Sequence, residues 1–144
     1  MIGTIMTGLQ IINSIDQYNS AKDAAEQARL AGEENAKLAE LEGEERVRRY
    51  EAEQKRLRGQ MVVNYAKAGV VLQGTPLDVM AEAANEADRE VSFMRDQTAR
   101  TAKARRLGAN AQSDSLRSEG RSLLISGIGS AAKTAYDYNL WDIN

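Results

Sequence analysis

The chain has 144 residues, a formal net charge of −2, and neither cysteine nor histidine. Aromatic residues make up only 5% of it, and much of the 42% hydrophobic fraction is alanine. Because burying alanine removes little apolar area, this composition argues against a self-sufficient globule and for an assembly component built of long helices. The absent cysteine and histidine exclude disulfides, thiol catalysis and the commonest general base and metal ligand. The net charge gives no overall preference for nucleic acid or anionic membranes.

Residues 1–15 form an apolar N-terminal segment without charged side chains. Ile2, Ile5, Met6, Leu9 and Ile12 fall on one side of a predicted helix. One interpretation is a short helix that packs on neighbouring elements. The other is membrane insertion, which would need an oligomer or an interfacial position because the segment is too short to span a bilayer alone. No signal peptide and no run of about 20 apolar residues is expected.

Residues 16–67 predict one long helix. Its small or apolar positions lie on one line with a mean spacing of about 3.6 residues, which is typical of a straight helix and not of a heptad coiled coil. Alanine and glycine dominate before Gly43, which favours close helix packing. The line comprises Ala21, Ala25, Ala28, Gly32, Ala36, Ala39, Gly43, Val47, Tyr50, Gln54, Leu57, Met61, Tyr65 and Ala68.

An elbow at residues 68–75 interrupts the helical sequence, next to the only proline in the chain. We expect Gly69 to end the first helix with a positive φ. Thr75 is predicted to cap the next helix, with Pro76 at its first position and Asp78 completing an acidic capping box. The candidate structural residues of the elbow are Gly69, Gly74, Thr75, Pro76, Leu77 and Asp78.

Residues 76–119 predict a second long helix with a thinner apolar line, which Arg105 interrupts. The line comprises Leu77, Ala81, Ala84, Ala87, Val91, Met94, Thr98, Ala102 and Ala109. Two long helices joined by a short loop predict an all-α chain in a single extended helical domain, folded as a hairpin or splayed as a V whose arms meet different subunits. In either form we expect an oligomeric helical assembly.

Charge is distributed in bands along the chain. Nine acidic and three basic residues lie between Asp16 and Glu45. A basic band follows, made of Arg46, Arg48, Arg49, Lys55, Arg56 and Arg58. It reads either as a solvated helix face with i,i+4 ion pairs, or as a contact surface for DNA or for an acidic partner.

Residues 120–144 combine a Gly/Ser/Leu segment with an aromatic tail. The tail is a candidate docking peptide, carried by Tyr136, Tyr138, Leu140 and Trp141. Both chain ends are apolar, and a hairpin would bring them to the same end. A shared apolar end predicts a contact site for other proteins or for lipid.

No group of residues in the sequence supports catalysis, so we expect a protein that is not an enzyme and uses no metal or cofactor. Carboxylate pairs such as Glu33 and Glu34 lie on a predicted exposed helix, where they are ordinary solvated charges. No histidine is present to act as a base.

The stretch from Tyr65 to Met80 resembles the pattern A-x-x-G-V-x-x-x-G-[ST]-P-x-x-V-[LM] of internal virion proteins of short-tailed phages, also called ejection or core proteins. The order of the apolar N-terminus, the two Ala-rich helices and the Gly/Ser/Leu segment is also similar to that family. The resemblance implies a homo-oligomer inside the capsid that associates with the portal and other internal virion proteins. It further implies ejection with the genome to build a conduit across the host envelope, with contact to its membrane and non-specific contact to phage DNA. The alternatives are a fixed helical structural or adaptor protein of the virion or tail, and a cellular helical scaffold or pore component.

Overall fold

A computed structural model describes the backbone of residues 2–70 and 73–141 and the side chains of residues 8–70 and 73–137. The described residues form two α-helices, α1 (Ile2–Lys67) and α2 (Thr75–Trp141). The expectation of an all-helical chain is confirmed for this part of the protein. Both helices are longer than predicted, because α1 includes the apolar N-terminal segment and α2 continues through the Gly/Ser/Leu segment. A glycine inside a helix costs only about 1 kcal/mol, so packing can retain it there.

The chain divides into two units. Unit 1 comprises Met1–Glu34 and Arg106–Asn144, and unit 2 comprises Asn35–Arg105. In unit 2, α1 and α2 are joined by the elbow and pack against each other as an antiparallel hairpin. In unit 1, Ser14 meets Gly127 and Ala21 meets Gly120, so the two helices are antiparallel there as well.

The C-terminus of α1 is closed by a Schellman motif. Gly69 has φ 67°. The Val70 N–H donates to the Tyr65 carbonyl at 3.0 Å, and the Gly69 N–H donates to the Ala66 carbonyl at 3.1 Å. These two bonds satisfy carbonyls that the end of a helix otherwise leaves without a partner, and the left-handed conformation they require favours glycine.

The N-terminus of α2 differs from the prediction by one residue. The Gly74 carbonyl accepts bonds from the N–H groups of Leu77 at 2.9 Å and Asp78 at 3.1 Å, so Gly74 and not Thr75 occupies the cap position. Thr75 is then the first helical residue and Pro76 the second. The missing N–H of Pro76 still falls in the first turn, where no intrahelical acceptor exists. Val71 and Leu72 lie outside the described residues.

The predicted apolar line of α1 forms the contact with α2. Its members Ala25, Ala36, Ala39 and Val47 are buried. Gln54, which the spacing required despite its polarity, is half-buried. Met61 and Tyr65 are half-buried as predicted, whereas Leu57 and Ala68 are exposed. Arg58 is half-buried one position after Leu57, so the helix takes a step of four residues there and not three.

Most of the predicted apolar line of α2 is shielded from solvent, since Ala84, Met94, Thr98 and Ala109 are half-buried. Ala87, Val91 and Ala102 are buried. Leu77 is 55% exposed, which contradicts its place on the line. Ala81, also on the predicted line, is exposed, and the half-buried positions near the elbow that the prediction left out are Pro76, Met80 and Ala83. The contact line continues beyond Ala109, the last position predicted for it, through Ser113, Gly120 and Ala131.

Candidate interaction surfaces

The seam, defined as the contact line between α1 and α2 in each unit, is built from small residues. In unit 1, a Cβ placed on Gly120 would lie 2.8 Å from the Cβ of Ala21. A Cβ on Gly127 would overlap the Ser14 side chain, whose buried hydroxyl donates to the Gln10 carbonyl at 2.7 Å. The two helices therefore approach so closely here that only glycine fits at these positions of α2.

The seam of unit 2 has the same character. A Cβ placed on Gly43 would overlap the side chain of Thr98, which donates its hydroxyl hydrogen bond to the Met94 carbonyl at 2.8 Å. Polar contacts flank the seam and join the helices. Arg105 Nη1 donates to the Asn35 carbonyl at 2.8 Å, and Arg95 Nη2 lies 3.3 Å from Glu51 Oε1. Of these residues, Glu51, Arg95 and Arg105 are exposed, so the contacts set alignment more than stability.

The residues that line a groove in unit 2 show which positions share one side of the helix pair. The groove has a volume of about 510 Å³. Its walls include Glu44 and Arg48 of α1, which are three residues before and one after the seam residue Val47. They also include Arg95 and Ala99 of α2, which stand in the same positions around Thr98. In an antiparallel pair, these positions of both helices therefore face the same side.

The basic band is partly neutralised. Glu45 forms ion pairs with Arg48 at 2.8 Å and with Arg49 at 2.8 Å. A hydrogen bond from Arg49, followed by the charge of Arg48, holds the pKa of Glu45 below its ordinary value. These i,i+3 and i,i+4 pairs match the interpretation of this stretch as a solvated helix face.

The structure also does not bring the six basic residues to one face. At about 100° per residue, Arg49 and Arg56 point away from α2, on the side opposite Val47. Arg48 and Lys55 lie on one flank of α1, and Arg46 on the other. Arg58 lies near the seam and is half-buried. A single contact surface made of all six side chains is therefore not present.

The chain ends expose apolar side chains on the outside of unit 1. Leu9 is 56% exposed and Ile125 is 71% exposed. Tyr136, the first residue of the candidate docking tail, is 68% exposed on α2. The side chains of Tyr138, Leu140 and Trp141 lie outside the described residues, as do those of Ile2, Ile5 and Met6. The elbow residues Gly69, Gly74, Thr75, Leu77 and Asp78 are exposed and Pro76 is half-buried.

A basic cleft in unit 1 was not predicted from the sequence. It has a volume of about 190 Å³ and is lined by Tyr18, Lys22, Arg117, Gly120 and Arg121. Its cations come from two helices whose residues are far apart in the chain, so only the seam register brings them together. Tyr18 and Lys22 flank Ala21, and Arg117 and Arg121 flank Gly120, in the same positions that line the groove of unit 2.

One carboxylate stands at the edge of the basic cleft. Arg117 Nη2 lies 3.8 Å from Glu26 Oε2, whereas Arg29 Nη2 lies 2.7 Å from Glu26 Oε1. The hydrogen bond from Arg29, then its charge, holds the pKa of Glu26 below its ordinary value. Glu26 is therefore engaged mainly by Arg29 and offsets the charge of the cleft only weakly.

Within the described residues, no group of three or more acidic side chains is placed to hold a metal ion. Over the same part of the chain, neither helix contains a stretch long and apolar enough to cross a membrane. The fold and its surfaces thus define a two-helix chain with small-residue seams and exposed apolar and basic side chains. Comparison of the chain with protein-family models, with curated proteins and with solved structures found no match.

Proposed function

We propose that this chain is a non-enzymatic internal virion protein of a short-tailed phage. In this proposal it oligomerises near the portal and is ejected to help form a conduit for the genome across the host envelope. The phage assignment is supported by the resemblance of residues 65–80 and by the order of segments around them. The assembly role has separate physical support in the exposed surface.

The observation that carries the assembly role is the amount of exposed surface. The chain exposes 10970 Å². A compact monomer of its mass of 15.8 kDa would expose only about 7,300 Å². The excess of roughly 3,600 Å² is several times the roughly 800 Å² that each partner contributes to a standard interface. Each subunit of a closed ring uses two such interfaces, so the excess suits a ring with room for further partners.

The chemical nature of the surface agrees with the same role. Among the described side chains, the buried hydrophobic residues are alanine and valine, whereas isoleucine and leucine side chains are exposed on both helices and Phe93 is exposed on α2. Large apolar side chains that form a contiguous exposed patch are typical of a surface that binds other proteins or a membrane. Their burial against other subunits or partners would remove this apolar surface from water.

The ejection step is tested by comparing the protein content of full particles with that of particles emptied of their genome. We expect the chain in full particles and its loss from emptied ones. Retention at full copy number after genome release would refute ejection. Retention would instead favour the second candidate function, a fixed helical structural or adaptor protein of the virion or tail, which the same exposed surface would serve.

A further inference from the structure

One side of unit 1 combines an apolar patch with the basic cleft. The apolar patch consists of Ile11, Ile15, Leu124 and Ile128. Ile11 and Ile15 lie three residues before and one residue after the seam residue Ser14, and Leu124 and Ile128 lie in the same positions around Gly127. In the groove of unit 2, residues at these positions of both helices line the same side of the helix pair. The four apolar residues are therefore on one side of unit 1. Ile15 is 44% exposed and Ile128 is 49% exposed.

The basic cleft lies on this same side. Its cations Lys22, Arg117 and Arg121 occupy the equivalent positions around the contact between Ala21 and Gly120. The two seam contacts are seven residues apart on each helix, which is about 10 Å along the axis. Four aliphatic side chains are therefore followed by three cations on one continuous face of unit 1.

We propose that this face of unit 1 binds an anionic lipid surface. The inference deepens the proposed function, on which it rests for its place at the host envelope. Aliphatic side chains beside lysine and arginine are the chemistry of an interfacial membrane contact, in which the apolar groups enter the acyl boundary and the cations meet the phosphates. The long stems of Lys22, Arg117 and Arg121 can reach the headgroups while the apolar patch is buried.

The charge pattern favours lipid over the other occupants of such a face. Duplex DNA would engage the cations, but its phosphate backbone gives no role to four adjacent aliphatic side chains. A second copy packed in parallel on the same face would bring two basic clefts together, where like charges repel. An anionic bilayer surface complements both parts of the face at once.

Vesicle flotation of the full-length chain tests the proposal. We expect binding to vesicles of equimolar phosphatidylcholine and phosphatidylglycerol, weaker binding at high salt, and little binding to phosphatidylcholine alone. Neutralising the cleft with Lys22→Gln, Arg117→Gln and Arg121→Gln should lower the partition coefficient on anionic vesicles by about a hundredfold, at about fivefold per cation. The matched control, Lys55→Gln, Arg56→Gln and Lys103→Gln in unit 2, removes the same charge and should bind like the original chain.

The apolar patch is tested by a second pair of variants. Ile15→Ser with Ile128→Ser should lower binding to anionic vesicles by about tenfold or more, since each buried methylene contributes about 0.8 kcal/mol. Leu38→Ser with Leu41→Ser, exposed positions of unit 2, is the control and should have little effect. Circular dichroism of all variants checks that they remain helical, and Lys22→Arg should retain binding.

Three results would overturn the lipid assignment. The first is equal binding by the cleft variant and its charge-matched control. The second is a gel shift with duplex DNA that only the cleft variant loses, without vesicle binding. The third is an oligomer in lipid-free solution that Ile15→Ser with Ile128→Ser dissociates, because the patch would then be an interface between copies. A chain that leaves the particle but does not bind vesicles would refute this inference alone, and one that binds vesicles but stays in emptied particles would refute ejection alone.

Discussion

Replacing Gly43 with alanine should destabilise unit 2, because the new methyl group would overlap Thr98. The Cβ of Thr98 would lie 2.7 Å from it. That atom is fixed by the backbone of α2, so a change of rotamer cannot remove the overlap. Carbon atoms normally approach to about 3.5–4.0 Å, so the two helices would have to separate by roughly 1 Å at this point.

The expected magnitude follows from two opposing effects. Overpacking of a close contact costs about 1–3 kcal/mol. Exchanging glycine for alanine within a helix returns up to about 1 kcal/mol. Gly59 of α1 provides the matched control, because a Cβ placed there has no atom within 4 Å. Gly59→Ala should therefore be stabilised by the higher helix propensity of alanine, without any overlap. Gly43→Ala should be less stable than Gly59→Ala by about 1–3 kcal/mol, which is the cost of the overlap.

Urea unfolding followed by far-ultraviolet circular dichroism measures this difference. Thr98→Gly in the Gly43→Ala background removes the opposing side chain, so the double variant should recover part of the lost stability through a favourable coupling between the two sites. Equal stabilities of Gly43→Ala and Gly59→Ala would refute the close seam, as would an absence of coupling with Thr98→Gly.

Three further predictions concern the elbow and one ion pair. Gly69→Ala should lower the free energy of unfolding by about 1–2 kcal/mol, because a Cβ disfavours φ 67°; an unchanged thermal midpoint would contradict the left-handed conformation. Glu26 has a pKa below its ordinary value of 4.5, chiefly through Arg29, so its contribution to stability is present above that pH and is lost as the pH falls through the lowered value. In an NMR titration, Arg29→Gln should shift the pKa of Glu26 upward, and no shift would show that the pair does not persist in solution. Gly74→Ala with Pro76→Ala should favour one continuous rod and spoil assembly, and sedimentation that matches the original chain would show that the elbow does not shape it.

The seam of α1 could be predicted from the sequence because it depends on a local pattern. Small residues recur every three or four positions, and this spacing alone places Ala25, Ala36 and Val47 on one side of a helix. The same reasoning admitted Gln54, which the structure shows half-buried. Spacing also places Leu77 on the line of α2, but its side chain is 55% exposed.

Both helices extend beyond their predicted ends, because the predictions separate the small-residue segments at the chain ends from the two long helices. Gly120 and Gly127 lie in the predicted terminal segment, but both are inside α2 and in contact with α1. Close packing overrides their low helix propensity. A comparison of the small residues near Ser14 and Ala21 with these glycines could have indicated the contact, although not its register.

The spatial grouping of the basic residues could not be predicted from their order in the sequence. The basic band is compact in sequence, yet a rotation of about 100° per residue distributes it around α1. The basic cleft joins Lys22 with Arg117 and Arg121 across two helices, so it depends on the register of the seam. Neither result follows from counting charges along the chain.

The distribution of small and large apolar side chains differs from that of a globular domain, in which the large ones are mostly buried. In residues 8–70 and 73–137, the buried hydrophobic residues are alanine except for Val47 and Val91, whereas leucine and isoleucine side chains of both helices are exposed. Hydrophobic stabilisation grows with the apolar area removed from water, so the alanine seams hold the helices close while contributing little of it. Most of the area that could still be buried lies on the outer faces. A partner that covered those faces and bound only the folded chain would stabilise it by mass action. Folding and assembly of this protein are thus expected to be coupled through the same exposed side chains.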